Sequence, residues 1–158
     1  MPDRIAVYSR TTAYRHDSIP HGVRTLRTLG ADDGFAVEAT EDPDDFAELL
    51  TDCAVVVFLS TSGEVLTPQG RDRLREHLAA GGGFVGIHAA ACTEYDWPFY
   101  GELLGARFAG HPPYQRGRLL VENRSHPATG HLPASWHVTD EWYDFRANPR
   151  GRVEVLAC

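Results

Sequence analysis

Hydrophobic residues in the first half of the chain fall into two alternating patterns, unbroken apolar runs and runs in which apolar positions recur every three or four residues. The unbroken runs read as strands buried on both faces, and the spaced runs as helices packed by one side. Strands are predicted over residues 4–9 (Arg-Ile-Ala-Val-Tyr-Ser), 35–39, 54–59 and 83–88. A first helix is predicted from Ser18, with Ile19, Val23, Leu26 and Leu29 on one face and Gly30 as its stop. Asp42-Pro43 opens a short second helix with Phe46, Leu49 and Leu50 on its apolar side. Thr67-Pro68 caps a third, which turns Leu74 and Leu78 inward and ends at Ala79-Ala80-Gly81. Strand and helix thus alternate four times, the pattern of an α/β fold with a doubly wound, mostly parallel sheet. The predicted strand ends at Ser9, Ser60 and His88 then open on one edge, where such sheets hold their ligands.

The second half is less regular. Pro112-Pro113, Pro127, Pro133 and Pro149 divide it into short pieces, with strands expected over residues 115–122 and 152–157. With 158 residues, 42% of them apolar, and no repeat or linker, the expectation is a single domain with its own core. No apolar run approaches the roughly 20 residues of a membrane span, and the amino terminus lacks a signal-peptide pattern, so a cytoplasmic location and no membrane partner are expected. Three widely spaced cysteines (Cys53, Cys92, Cys158) form neither a disulfide framework nor a zinc ribbon, and Cys53 is expected in the core. A net charge of -7 argues against nucleic acid as a partner. All 15 basic residues are Arg, which removes Schiff-base chemistry and a phosphate-loop lysine.

Candidate chemistry concentrates at the predicted strand ends. Gly81-Gly82-Gly83 permits the turn into a strand whose Phe84, Val85 and Ile87 suit a site covered on both faces. His88 stands at its tip, followed by small residues that let a helix start close by, like the elbow that displays a nucleophile in α/β hydrolases. An imidazole in that place points to proton transfer or metal ligation rather than acyl-enzyme formation. His16, in the long loop after the first strand, is either a functional residue or an exposed loop residue beside a helix cap. Thr61-Ser62-Gly63-Glu64 offers hydroxyls and backbone N–H groups to a polar ligand, or simply turns the chain toward Thr67. Two acidic-aromatic clusters, residues 93–100 with Glu94, Tyr95 and Trp97, and residues 140–145 with Glu141 and Tyr143, suit a carbohydrate or pack locally. His16, His88 and His111 with a carboxylate could hold a divalent metal, although no pair has a recognised ligand spacing. His77, His126, His131 and His137 carry no pattern beyond that of surface or turn histidines, and Asn123-Arg124-Ser125 reads as an incidental glycosylation sequence.

The stretches Tyr14-Arg15-His16-Asp17-Ser18-Ile19, Gly81 to Ala90, Thr93-Glu94-Tyr95-Asp96-Trp97-Pro98, His111-Pro112 and Asp140-Glu141-Trp142-Tyr143 together resemble the ThuA-like (trehalose-utilisation) proteins. That family is similar in fold to class I glutamine amidotransferases. The resemblance implies a flavodoxin-like sheet with His88 where an amidotransferase would carry its cysteine, so glutaminase activity is not expected. It implies a bacterial protein of disaccharide breakdown acting on trehalose-type or 3-keto sugars, with His16, His88, Glu94, Tyr95, His111 and Glu141 lining the pocket. His88, His16 and Glu94 are the expected catalytic groups, and Thr61, Tyr95, Trp97, His111, Glu141 and Tyr143 the expected sugar-binding ones. The reaction class stays open. The alternative is a non-catalytic sugar-binding or regulatory module on the same scaffold. Two departures stand out: Cys92 replaces an acidic or small polar residue, and the further strands and Gly-His element expected at the carboxyl end of the family are absent. A homodimer covering an open sheet edge is a further expectation.

Overall fold

The computed structural model describes residues 3–158; Met1 and Pro2, part of the stretch read above for an export signal, lie outside the described residues. The chain divides into two compact units, the first running to Gly101 and the second starting at Glu102. No helix among the described residues is long and apolar enough to cross a membrane.

The first unit contains β1 (Arg4–Tyr8), α1 (Ile19–Asp33), β2 (Ala36–Thr40), α2 (Pro43–Leu49), β3 (Val55–Leu59), α3 (Pro68–Ala79) and β4 (Gly83–Ile87). A 3-10 turn, His88–Cys92, follows β4, and the division between the units falls within α4 (Pro98–Leu104). All four strands pair in parallel, in the order β2-β1-β3-β4, which is the leading part of the flavodoxin-like order. Adjacent residues on a strand face opposite sides, so β1 and β3 each feed two cores. Val7, Val57 and Leu59 form an aliphatic layer with Val23 and Leu26 of α1. The other layer is aromatic: Tyr8 stacks on Phe46 of α2 at 4.2 Å, and Phe58 packs against Phe84 and Tyr100 at 5.3 and 5.6 Å.

Several local expectations are corrected in this unit. Helix α1 does not stop at Gly30 but continues to Asp33 and closes at Gly34, whose φ of +83° supplies the left-handed cap. Gly30 is instead a close approach, since a Cβ there would lie 2.6 Å from the Phe35 carbonyl. Strand β4 is not covered on both faces: Val85 pairs in register with Val57 on the α1 side, but α1 packs over β2 and β3, leaving Val85 44% exposed. His77 is no surface residue; it is buried, its Nε2 donates to the Gly83 carbonyl at 3.1 Å, and its ring would lie 2.2 Å from a Cβ at Gly82. Its Nδ1 faces the half-buried Cys53 thiol at 3.9 Å, and burial pushes that thiol's pKa up.

The second unit holds two antiparallel ribbons, β5 (Phe108–Gly110) with β8 (Asp144–Phe145), and β6 (Gln115–Leu120) with β7 (Ser135–Asp140). The strand expected over residues 152–157 does not form. A turn bonds Arg152 N–H to the Pro149 carbonyl at 2.7 Å, so only the last residues reach β6, where Leu120 and Cys158 exchange backbone hydrogen bonds. A fork from Arg150 to Glu122 ties this tail down and, with the Cys158 thiol as a second cause, lowers the Glu122 carboxyl from 4.5 to about 2.

Phe58→Ala should cost about 3–5 kcal/mol in urea unfolding, because it empties the centre of the aromatic layer. In the second unit, a carboxyl held below its unfolded value stabilises the fold above pH 4.5, and that contribution is lost as pH falls toward about 2. Arg150→Gln should therefore bring the Glu122 titration, followed by carboxyl carbon NMR, back up toward the ordinary carboxylate range.

Candidate functional site

The carboxyl edge of the parallel sheet in the first unit brings together two of the candidate residues, His16 and His88. His88 is the first residue past β4 and adopts a left-handed φ of +53°. Ala89 and Ala90 are buried beneath it, and the Tyr100 hydroxyl donates to the Ala90 carbonyl at 3.0 Å. The chain therefore turns into a tight 3-10 segment rather than the α-helix of a hydrolase elbow. Ser60, at the end of β3, and Glu94 share the left-handed conformation with φ of +50° and +51°. Such conformations cost non-glycine residues of order 1 kcal/mol or more each and tend to gather at functional sites.

His16 meets His88. Their rings lie edge to face with centroids 4.4 Å apart, both are half-buried, and the exposed Tyr14 ring stands edge-on to His16 at 4.8 Å. The loop that brings His16 there is held on two sides. Thr12 and Ala13 donate their N–H groups to the Ser62 carbonyl at 2.9 and 3.3 Å, and the Ser62 hydroxyl donates to the Tyr14 carbonyl. On the other side Arg15 forks onto the Glu41 carboxylate at 2.6 and 3.1 Å. Isolated parallel bridges, Thr11 with Ser62 and Gly63 with Thr93, continue the sheet order past the strand ends.

The other residues expected at this edge are placed differently. The Thr61 hydroxyl is buried against that of Thr93 at 2.8 Å. Glu94 is fully buried, accepting from the Val65 and Leu66 N–H groups at 2.8 Å each and from Arg71 Nε at 2.7 Å. Trp97 is also buried, with the Arg71 and Arg75 guanidinium groups 5.5 and 5.1 Å from its ring centre. Tyr95 is half-buried. The loop-holding roles of Ser62 and Arg15, and Arg71 altogether, escaped sequence reading. Ser62 lay inside a turn already noted, but Arg71 sits 23 residues before its partner on a helix whose sequence carries no sign of it.

In the second unit, His111, Glu141 and Tyr143 come together. His111 Nδ1 donates to the Pro112 carbonyl at 2.8 Å, which directs Nε2 to the Glu141 side, 4.0 Å from its carboxylate. Tyr143 lies parallel to the His111 ring at 6.0 Å and against Phe108 at 4.4 Å. A ring nitrogen fixed by a backbone carbonyl at its other nitrogen is the usual arrangement of a metal-binding or proton-accepting histidine. Taken singly, His16 with His88 and His111 with Glu141 each offer two of the three or four donors that a zinc site uses.

The first unit's turn makes a local demand on Gly63. Its φ is +80°, and a Cβ would lie 2.3 Å from Thr12 Oγ1 and 3.1 Å from the Ala13 nitrogen. Gly63→Ala should lower stability by about 1–3 kcal/mol in chemical denaturation, and a crystal structure of the variant should show the His16 loop displaced.

Comparison with known proteins agrees with this architecture. The family model ThuA, described as trehalose utilisation, matches residues 4–158. A ThuA-like protein of Bacteroides uniformis is 30% identical, with a TM-score of 0.83 covering 99% of this chain and 67% of that one. A ThuA-like protein of Parabacteroides merdae, at 20% identity and a TM-score of 0.76 over 99% of this chain and 68% of that one, shows the likeness of fold alone. No curated protein matches.

Proposed function

This chain belongs to the ThuA, or trehalose-utilisation, family, and we propose that it is a sugar-processing enzyme acting on a disaccharide or keto-sugar through the His16–His88 pair. The observation that carries this reading is the pair itself, two half-buried imidazoles 4.4 Å apart at the ligand-binding edge of a parallel sheet. Imidazole exchanges protons near neutral pH, and His88 is displayed by a strained turn that the surrounding hydrogen bonds hold in place.

In this reading His88 is the general base. Its ring nitrogen takes the proton from the hydroxyl-bearing carbon beside the sugar carbonyl; the C–H electron pair becomes a carbon–carbon double bond and the carbonyl π pair moves onto the oxygen, giving an enediolate. His16 packs against the face or edge of the base and limits its rotation. The Tyr14 ring, exposed beside them, supplies an apolar surface for the C–H face of a sugar.

His88→Ala should reduce turnover of a 3-keto-disaccharide by about 10²–10⁴-fold with far-UV circular dichroism unchanged. Equal turnover by the variant would remove His88 from the mechanism. Sugar binding without product in the wild type would instead establish a binding module on this scaffold. Elemental mass spectrometry of both proteins separates base from ligand: stoichiometric metal lost on substitution would make His88 a metal ligand.

A further inference from the structure

Glu94 differs from the other candidate acids because its carboxylate is turned into the protein. The residue is wholly buried. Oε1 accepts from the Val65 and Leu66 N–H groups, both at 2.8 Å, and Oε2 from Arg71 Nε at 2.7 Å and Nη2 at 2.5 Å. Arg71 also reaches Glu64 at 2.8 Å and lies over the Trp97 ring, so the guanidinium is itself fixed. Val65 is held a second time from the core, where the Tyr8 hydroxyl donates to its carbonyl at 2.6 Å. A ligand hydroxyl or proton could reach this carboxylate only by displacing charge-assisted hydrogen bonds in a dry surrounding.

The segment that Glu94 anchors, residues 60–66, is the one that joins the two histidines. Toward β1, its Ser62 carbonyl and hydroxyl hold Thr12, Ala13 and Tyr14, immediately ahead of His16. Toward β4, Gly63 donates to the Cys92 carbonyl at 3.0 Å and accepts from the Glu94 N–H at 3.0 Å, closing the turn that begins at His88. Thr61 adds its hydroxyl bond to Thr93.

We propose that Glu94 is a positioning residue that, by anchoring residues 60–66 from beneath, sets the contact between His16 and His88 without exchanging protons itself. The proposal rests on the reading of these two histidines as the reactive pair, but its test needs no substrate.

The measurement is the inter-ring NOE between His16 and His88 in the full chain, with resonances assigned from His16→Gln and His88→Gln. Glu94→Gln keeps an acceptor for Val65 and Leu66 and loses the charge opposite Arg71; the NOE should weaken. Glu94→Ala loses both, and the NOE should vanish while far-UV circular dichroism still reports a folded chain. The ring signals of His126, in the second unit, should stay in place. Ser62→Ala, which leaves the buried charges intact, should shift the His16 ring signals and weaken the His16–His88 NOE; it decides the matter if the Glu94 variants do not fold.

An unchanged NOE in folded Glu94 variants, with only a lower melting temperature, would overturn the proposal and leave Glu94 a stabilising residue. Lost keto-sugar turnover in Glu94→Gln with the NOE intact would also overturn it, by making Glu94 a direct participant. Unmoved His16 signals in Ser62→Ala would break the link through residues 60–66. If the NOE responds as expected but the wild type processes no keto-sugar, positioning stands and the functional reading falls.

Discussion

A parallel sheet leaves its strands' carboxyl ends with backbone groups that no further residue of the sheet can satisfy, and the first unit answers this by letting strand-end loops bond to one another. Ser9 donates to Thr40, Ser60 to Ile87, Thr12 to Ser62, Gly63 to Cys92 and Glu94 to Gly63. These bonds follow the sheet order, so each loop is registered against its neighbour as the strands beneath it are. Buried N–H and C=O groups that are paired in this way resist rearrangement, because opening one pair exposes an unsatisfied group. The loops at this edge therefore behave as a continuation of the scaffold, and a short side chain such as Ser62 can hold a neighbouring loop with one hydroxyl.

Charge completes what the backbone begins. An isolated buried carboxylate is costly, and pairing with Arg71 alone would still leave acceptor capacity unfilled. Glu94 takes two backbone donors in addition, and Arg71 gains Glu64 and the face of Trp97. A buried ion pair of this kind gains little over an apolar replacement, but removing one partner leaves the other charge buried and uncompensated. Arginine suits the role better than lysine would, since its planar fork can face a carboxylate and an aromatic ring at once.

Legibility from sequence followed the range of the forces involved. The strands of the sheet and three of its helices were readable because both-faced burial and one-sided helical burial leave different spacings, as residues 54–59 and the run Ile19, Val23, Leu26 show. Caps at Asp42 and Thr67 were readable because their partners lie within three residues. The pairing of His16 with His88 followed from topology: His88 directly follows β4 and His16 lies in the long loop after β1, at the same edge. Strand β7 was missed because its residues alternate between exposed and half-buried with no apolar run. The inward turn of Glu94 was invisible because an acidic residue in an acidic-aromatic stretch looks the same whether it meets solvent or an arginine 23 residues away. Gly30 misled for a similar reason: a glycine required by the neighbouring strand reads like a glycine that ends a helix.

The glycines before β4 show where the aim of the displayed histidine is decided. Gly81 turns with φ of +91°, and Gly82 passes beneath the His77 ring at a distance that admits no side chain. Between them and His88 lies a five-residue strand, about 17 Å of stiff extended chain at the usual rise per residue. Paired with β3 along its whole length, β4 carries its placement from one end of the sheet to the other as a stiff unit. Packing at the amino-terminal end of the strands thus enters the geometry of the opposite edge, and substitutions beside His77 could move His88 without altering any residue that touches it.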